Sequence, residues 1–343
     1  MKYQSHRLIT LILLVCLMTL TACVPATPAA EPSVAVPIAT AVTPEAATTD
    51  AAVDLSNFPV TIENCDRTIT FEAPPERVVV NDVNILELFL ALDLQDRLVG
   101  YSGVREAKNV APAYQAKLEG IPSLAERYPS LEVLVGADPD FYLAGWYYGL
   151  SEESGLTPDT LNPLGIETYA ITESCAQIMP RAQFTLEDTF TDLINLGKIV
   201  GAEARAQTLV EQYRAELAEI QVMIGDVAEP LRVFVYAYCG GPSMLIKAAG
   251  GENIFGDLLG NWANVTWEEV VERDPQVIVL ADAVWSTAQE KQDFLLNTPT
   301  YASIDAVQQQ RFIVIPFGAT TFGVRNVEGA LTLARGLYPD KFQ

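Results

Sequence analysis

Two stretches of this chain spell one phrase. PSLEVLVGADPDFYLAG begins at Pro129 and VTWEEVVERDPQVIVLAD begins at Val265. Laid over each other with an offset of 136 residues, they match at Glu132/Glu268, Val135/Val271, Asp138/Asp274 and Pro139/Pro275. They stay apolar together at Leu131/Trp267, Leu134/Val270, Leu143/Val279 and Ala144/Leu280. Each copy reads as a short helix, an Asp-Pro break and a buried strand. Such a repeat describes two copies of one α/β unit.

The flanking sequence has the same texture. RVVVN (Arg77 to Asn81), LVGYS (Leu98 to Ser102), FYLAG (Phe141 to Gly145) and TYAIT (Thr168 to Thr172) read as short buried strands, separated by helical patterns such as NILELFLALDL (Asn84 to Leu94). The second half repeats this with RVFVYAY (Arg232 to Tyr238), VIVLAD (Val277 to Asp282) and RFIVIPF (Arg311 to Phe317). Strands alternating with helices imply parallel sheets. Between the halves, Leu186 to Ile224 holds no strand candidate, and from Ala202 onward Leu209, Val210, Tyr213, Leu217, Ile220 and Ile224 recur at helical spacing. Gly225 and Pro230 close that pattern, a helix of about 22 residues and ~33 Å. The expected fold class is α/β: an N-terminal lobe over 58–185, a helical linker over 186–230 and a C-terminal lobe over 231–343, with the ligand cleft between the lobes.

The N-terminus stands outside the fold. Lys2 and Arg7 precede the 13-residue apolar run LITLILLVCLMTL, a signal-peptide core too short to span a bilayer permanently. LTAC ends at Cys23, where a plain secretory cleavage site is the alternative to a lipidated cysteine. Residues 24–57 are rich in Pro, Ala and Thr and have no aromatic side chain, a composition that cannot offset its ordering entropy and reads as a tether. With Lys2 and Arg7 removed, 19 of the 21 Lys+Arg remain against 44 Asp+Glu, a balance that repels nucleic acid. The single histidine, His6, leaves with the signal; a histidine-ligated metal and a His-based triad are excluded in the mature chain. Cys65, Cys175 and Cys239 remain, enough for one disulfide and one odd thiol in an oxidising compartment.

Taken together, the lipobox-like LTAC, the two lobes and the linking helix resemble the helical-backbone class of substrate-binding lipoproteins that serve ABC importers for iron-siderophores, haem and cobalamin. The motifs FPVTIENCDRTITFEAPPERVVV, YPSLEVLVGADPD, GIETYAITESC, VTWEEVVERDPQVIVL and ATTFGVRN carry the resemblance over nearly all of 58–343, and the iron-siderophore branch is nearest. The resemblance implies two Rossmann-like lobes, a lipid anchor on Cys23, a monomer facing the periplasm or the cell exterior, and no catalysis. It implies a disulfide between Cys65 and Cys175, since both sit in family motifs. It implies that Glu132 and Glu268, one on each lobe, dock by bidentate pairing onto arginines of the permease dimer, which works with its ATPase. Taken singly, each is as well read as a solvated helix residue, and Glu269 is an adjacent competitor.

Loops after the strand candidates are the ligand-site candidates. They offer Asn81 and Asp82, Tyr101 and Arg105, then Trp146, Tyr147 and Tyr148 in GWYYG, then Tyr236 and Tyr238 with Cys239, Trp285, Phe322 and Arg325. Rings and guanidinium groups suit the faces and charge of an Fe3+-siderophore chelate, which would be cargo and not a resident cofactor. Packing is the competing fate for the aromatics, and an ion pair with Glu328 the competing fate for Arg325. The segment CGGPSMLIKAAGGENIF is shorter than its counterpart in the family, which leaves a tyrosine-ligated haem or a corrinoid as alternatives. Cys239 in it is either a cleft residue or a small buried hydrophobe. A surface sensor without transport is a third class. Enzyme signatures are absent: the sequence holds no P-loop, no GxGxxG after the first strand and no GxSxG.

Overall fold

The computed structural model describes residues 54–106, 109–180, 184–237, 243–258 and 264–343. Cys23, nearly all of the tether, Tyr238 and Cys239 lie outside the described residues. The chain enters through a hairpin of β1 (Val60–Asn64) and β2 (Arg67–Phe71). The N-terminal lobe continues with β3 (Val78–Asn81), α1 (Val83–Leu90), β4 (Leu98–Ser102), α2 (Pro112–Gln115), β5 (Ser123–Ala125), α3 (Leu131–Gly136), β6 (Phe141–Trp146), β7 (Gly149–Leu150), α4 (Pro158–Leu161) and β8 (Glu167–Ala170). Two helices, α5 (Leu186–Ile199) and α6 (Glu203–Ile224), lead to the C-terminal lobe. There β9 (Arg232–Tyr236), α7 (Ser243–Ala248), β10 (Glu252–Asn253), α8 (Trp267–Arg273), β11 (Val277–Asp282), α9 (Ala288–Asn297), α10 (Asp305–Gln308), β12 (Phe312–Pro316), α11 (Phe317–Thr320) and α12 (Asn326–Leu337) follow in turn.

Both main sheets are parallel. The first runs β5-β4-β3-β6, with β7 and β8 both paired to β6; the second runs β10-β9-β11-β12. The four-strand path β4-β3-β6-β8 of one lobe has the same order as β10-β9-β11-β12 of the other. In each the chain starts in the middle, adds a strand to one side, then switches sides. The strands are runs of Val, Ile and Leu because helices cover both faces: all four residues of β3 and the first five of β11 are buried.

The repeated phrase is repeated in structure. Ser130 and Thr266 cap α3 and α8 by accepting from the N–H three residues on. Asp138 and Asp274 then turn the chain in the left-handed region, at φ 52° and 44°, a conformation that Asp tolerates better than most residues. Arg77 and Arg232, each just before or at the start of its lobe's first strand, clamp these turns: Arg77 donates to the carbonyls of Ala137 and Asp138, and Arg232 to that of Asp274. The Asp140 and Gln276 N–H groups complete the match by donating to the Arg77 and Arg232 carbonyls. The strand after each phrase is thereby set in register with the first strand of its lobe.

The 22-residue α6 buries Leu209, Val210, Ile220 and Ile224, while Tyr213 and Leu217 pack partly buried against the core. The helical stretch before it is a separate helix, α5, which ends before Gly201 (φ 71°) and folds back along α6. Cys65, in the β1–β2 turn, is bonded to Cys175 beyond β8, with Cα atoms 5.3 Å apart. Beside it Asn64 accepts from the Ala170 N–H and donates to the Ala170 carbonyl. The hairpin is so fastened to the last strand of the sheet, occupying backbone groups that an edge would otherwise leave open.

Candidate functional site

A cavity of about 1060 Å³ lies between the lobes, where strand ends from both sheets converge. Asp82 follows β3, Gly103 follows β4, Asp282 ends β11 and Pro316 ends β12; all four line it. The carboxyl ends of parallel strands beside a change of direction are where open α/β sheets place ligands.

Four of the side chains named from sequence meet here: Asp82, Arg105, Trp285 and Arg325. Arg105 comes from the N-terminal lobe and Trp285 from the C-terminal lobe, and the guanidinium lies 5.3 Å from the ring centroid. Trp285 packs edge-to-face on Phe317, with centroids 4.9 Å apart. The turn that carries Trp285 is anchored from beneath by Lys291, a buried ammonium that donates to the carbonyls of Ala281 and Ser286. Burial lowers its pKa.

Arg325 forms the back of the cavity. Its Nε lies 2.8 Å from Glu87 Oε2, poorly aligned for a hydrogen bond, so that contact is ionic; Nη2 donates to the Asn109 carbonyl at 3.0 Å. Its ion-pair partner is Glu87 of the other lobe rather than Glu328 on its own helix. Glu87 is buried and its second oxygen accepts from the Ala111 N–H at 2.7 Å. Burial pushes the Glu87 carboxyl up to about 7, against the opposing pull of Arg325 and the Ala111 N–H. A Cβ on Gly318 would stand 1.7 Å from Arg325 Nη2; the guanidinium lies across that glycine and nothing larger fits. Asp82 caps α1 by accepting from the Val83 N–H at 2.7 Å, and burial raises its pKa to about 6.

The other described aromatics named from sequence sit elsewhere. In GWYYG the chain folds back: the Tyr148 ring covers Gly145, where a Cβ would meet it at 2.1 Å, and its phenol donates to Glu173. Trp146 packs partly buried against an apolar cluster of the N-terminal lobe, and Tyr147 points outward, 63% exposed. Tyr101 packs against the core. Tyr236 joins Trp267 in an aromatic cluster, with centroids 4.9 Å apart. Phe322 is 2% exposed and meets Phe184. Sequence reasoning did not single out Glu126, Arg127, Tyr128, Phe317, Asp282 or Glu87. Asp282 closes a readable strand and could have been chosen on that ground; 126–128 follow the three-residue β5, which has no periodic signal.

Glu132 and Glu268 both occupy the second position of their helices, and both are exposed. As crossover helices between parallel strands, α3 and α8 begin at the carboxyl ends of the sheets, the end that bears the cavity. Glu269 is engaged in a capping box, accepting from the Thr266 N–H and hydroxyl, which leaves Glu268 as the outward carboxylate. Among the described residues no group of three or more Cys, His, Asp or Glu is disposed to hold a metal ion.

Residues 78–319 match the family model described as Periplasmic binding protein. The uncharacterized ABC transporter substrate-binding lipoprotein YvrC of Bacillus subtilis is 24% identical over 300 residues, 83% of this chain and 88% of that one. A vitamin B12-binding protein of Vibrio parahaemolyticus is 22% identical over 244 residues, 67% of this chain and 81% of that one. The crystal structure of an ABC-type Fe3+-hydroxamate transport system from Saccharomonospora viridis superposes with a TM-score of 0.68 at 25% identity, over 81% of this chain and 99% of that one.

Proposed function

Because the chain belongs to the periplasmic binding protein family, we propose that it is an extracytoplasmic lipoprotein, anchored through Cys23, that captures a ferric siderophore and delivers it to an ABC importer. One observation carries the reading: a cavity of about 1060 Å³ between two lobes, lined from both sides by guanidinium groups and ring faces. That volume suits a ligand of chelate size. Trp285, Phe317 and Tyr128 offer ring faces and edges for the organic part of a chelate. Arg105, Arg127 and Arg325 offer donors to its oxygens. Delivery rests on Glu132 and Glu268, exposed at matching helix positions, one per lobe. A binding protein needs no acid–base pair, and the relatives are solute-binding proteins.

Native mass spectrometry of the full chain against ferric siderophores, haem and cobalamin tests this reading, with Trp285 quenching as the solution readout. A stoichiometric complex with a ferric siderophore supports it. Retention of haem or cobalamin alone overturns the siderophore assignment.

A further inference from the structure

The cavity sets arginines from both walls against an equal number of carboxylates. Among the described lining residues, Arg105, Arg127 and Arg325 stand against Asp82, Glu126 and Asp282. Arg325 is moreover already paired with Glu87 behind it, at 2.8 Å. Glu87 of that pair is buried and Arg325 is partly so, with the Arg325 side chain 13% exposed and that of Glu87 1%. A largely enclosed guanidinium whose charge is met by a fixed carboxylate presents hydrogen-bond donors but little net charge to a ligand. The surrounding protein points the same way: the whole chain carries a formal charge of −23, a field that repels multiply charged anions from the mouth.

We propose that Glu87, assisted by Asp82, sets the net charge this cleft accepts, so that it takes a chelate of zero or low net charge in preference to a multiply anionic one. The inference rests on the chelate-binding reading above and narrows it. Neither residue need touch the ligand's metal. Glu87 is a positioning residue: one oxygen receives the Ala111 N–H, the other holds Arg325, and the guanidinium so held lies across Gly318 on the cavity wall. Asp82 is placed at the N-cap of α1, on the opposite lobe from Trp285, and faces the same space. A ligand of charge −3 would have to enter beside both carboxylates or force their protonation. A ligand of charge zero meets rings and donors without that cost.

The test compares two iron probes on the full chain by tryptophan quenching: a ferric trihydroxamate of net charge zero and a ferric tris-catecholate of net charge −3. The uncharged probe should bind at least tenfold more tightly. Glu87→Gln keeps the shape and an acceptor for Ala111, and should shift the ratio of the two dissociation constants about tenfold toward the anionic probe. Asp82→Asn, which keeps the helix cap, should shift it the same way by less. A purely structural role for Glu87 would weaken both probes together and leave the ratio unmoved, which overturns the proposal. So would tighter binding of the anionic probe by the unaltered chain. Binding of neither probe would overturn the chelate reading itself, and this inference with it.

Discussion

The two lobes share a strand order, a phrase and an arginine clamp, yet they are closed by different chemistry. The N-terminal lobe is held by covalent and polar ties: Cys65–Cys175, Asn64 on the edge strand, and Asp192. Asp192 is buried and accepts from the Tyr169 and Thr172 hydroxyls and the Thr172 N–H. The C-terminal lobe closes on rings. Trp267 meets Tyr301 at 4.7 Å, Tyr236 at 4.9 Å and Phe294 at 5.8 Å, where the matching position of the first lobe is Leu131. The lesson is that backbone turns and strand order are held in common, while the packing that closes each copy is free to differ. A duplicated unit needs its register and its helix starts; apolar burial can be supplied by any set of side chains that fills the space.

The largest test of this contrast removes the covalent tie. Cys65→Ser with Cys175→Ser opens a loop of sequence separation 110 and should cost about 4–5 kcal/mol on the chain-entropy account. Urea unfolding measures the loss. Hydrogen exchange should rise in β1, β2 and β8 and stay unchanged in β9 to β12; equal loss in both lobes would show that they unfold as one unit.

Next in size is the contact that joins the lobes. Arg325→Ala should weaken ligand binding by about 1.5–3 kcal/mol, the range for hydrogen bonds to charged groups. It also leaves Glu87 buried without its cation. Glu87 can then remain in the fold only by binding a proton, so the variant should lose more stability at pH 8 than at pH 6. Gly318→Ala, which evicts the guanidinium, should weaken binding in the same direction. Calorimetry at the two pH values and quenching titrations separate the two effects.

A smaller effect distinguishes the lobes by pH. Burial raises Asp82 to about 6, and Glu87 and Asp192 to about 7, all in the N-terminal lobe or α5. A carboxyl with a raised folded pKa contributes stability that is present below its unfolded value and lost as pH rises through 6–7. In the C-terminal lobe Glu269 and Glu290 are lowered, first of all by the backbone N–H groups of Thr266 and Thr287. Their contribution has the opposite sense and is lost as pH falls through the lowered values. From pH 8 to pH 5.5 the N-terminal lobe should therefore gain local stability while the C-terminal lobe does not, and lobe-resolved exchange shows whether it does. Asp192→Asn should flatten the first trend.

The smallest effect on the folded protein belongs to the repeated glutamates. Glu132→Ala and Glu268→Ala should change stability and ligand affinity by no more than about 0.5 kcal/mol. Transport by the reconstituted importer should nevertheless fall, and changing either to Arg should harm it more, through like-charge repulsion at the permease. Full transport by the doubly reversed chain would reduce the shared phrase to a mark of common ancestry.

What the amino-acid sequence determined by itself was periodic or local. Runs such as VVV and VIVL declared parallel strands, the spacing of Leu209, Val210, Ile220 and Ile224 declared α6, and the Asp-Pro turns declared two like units. The cavity behaved differently. Glu87 stands in the middle of an apolar helical pattern and Arg325 is far away in the chain; nothing in the spacing of either announces a pair. GWYYG looked like a ligand loop, but Gly145 lets the Tyr148 ring fold back, and the run turns away from the cavity. Arg105 and Trp285 become neighbours only when two lobes close on each other. Helices and strands follow from interactions between residues a few positions apart, which sequence records directly. A cleft is made of side chains brought together across the whole chain, and only the packed tertiary structure decides which of them share it.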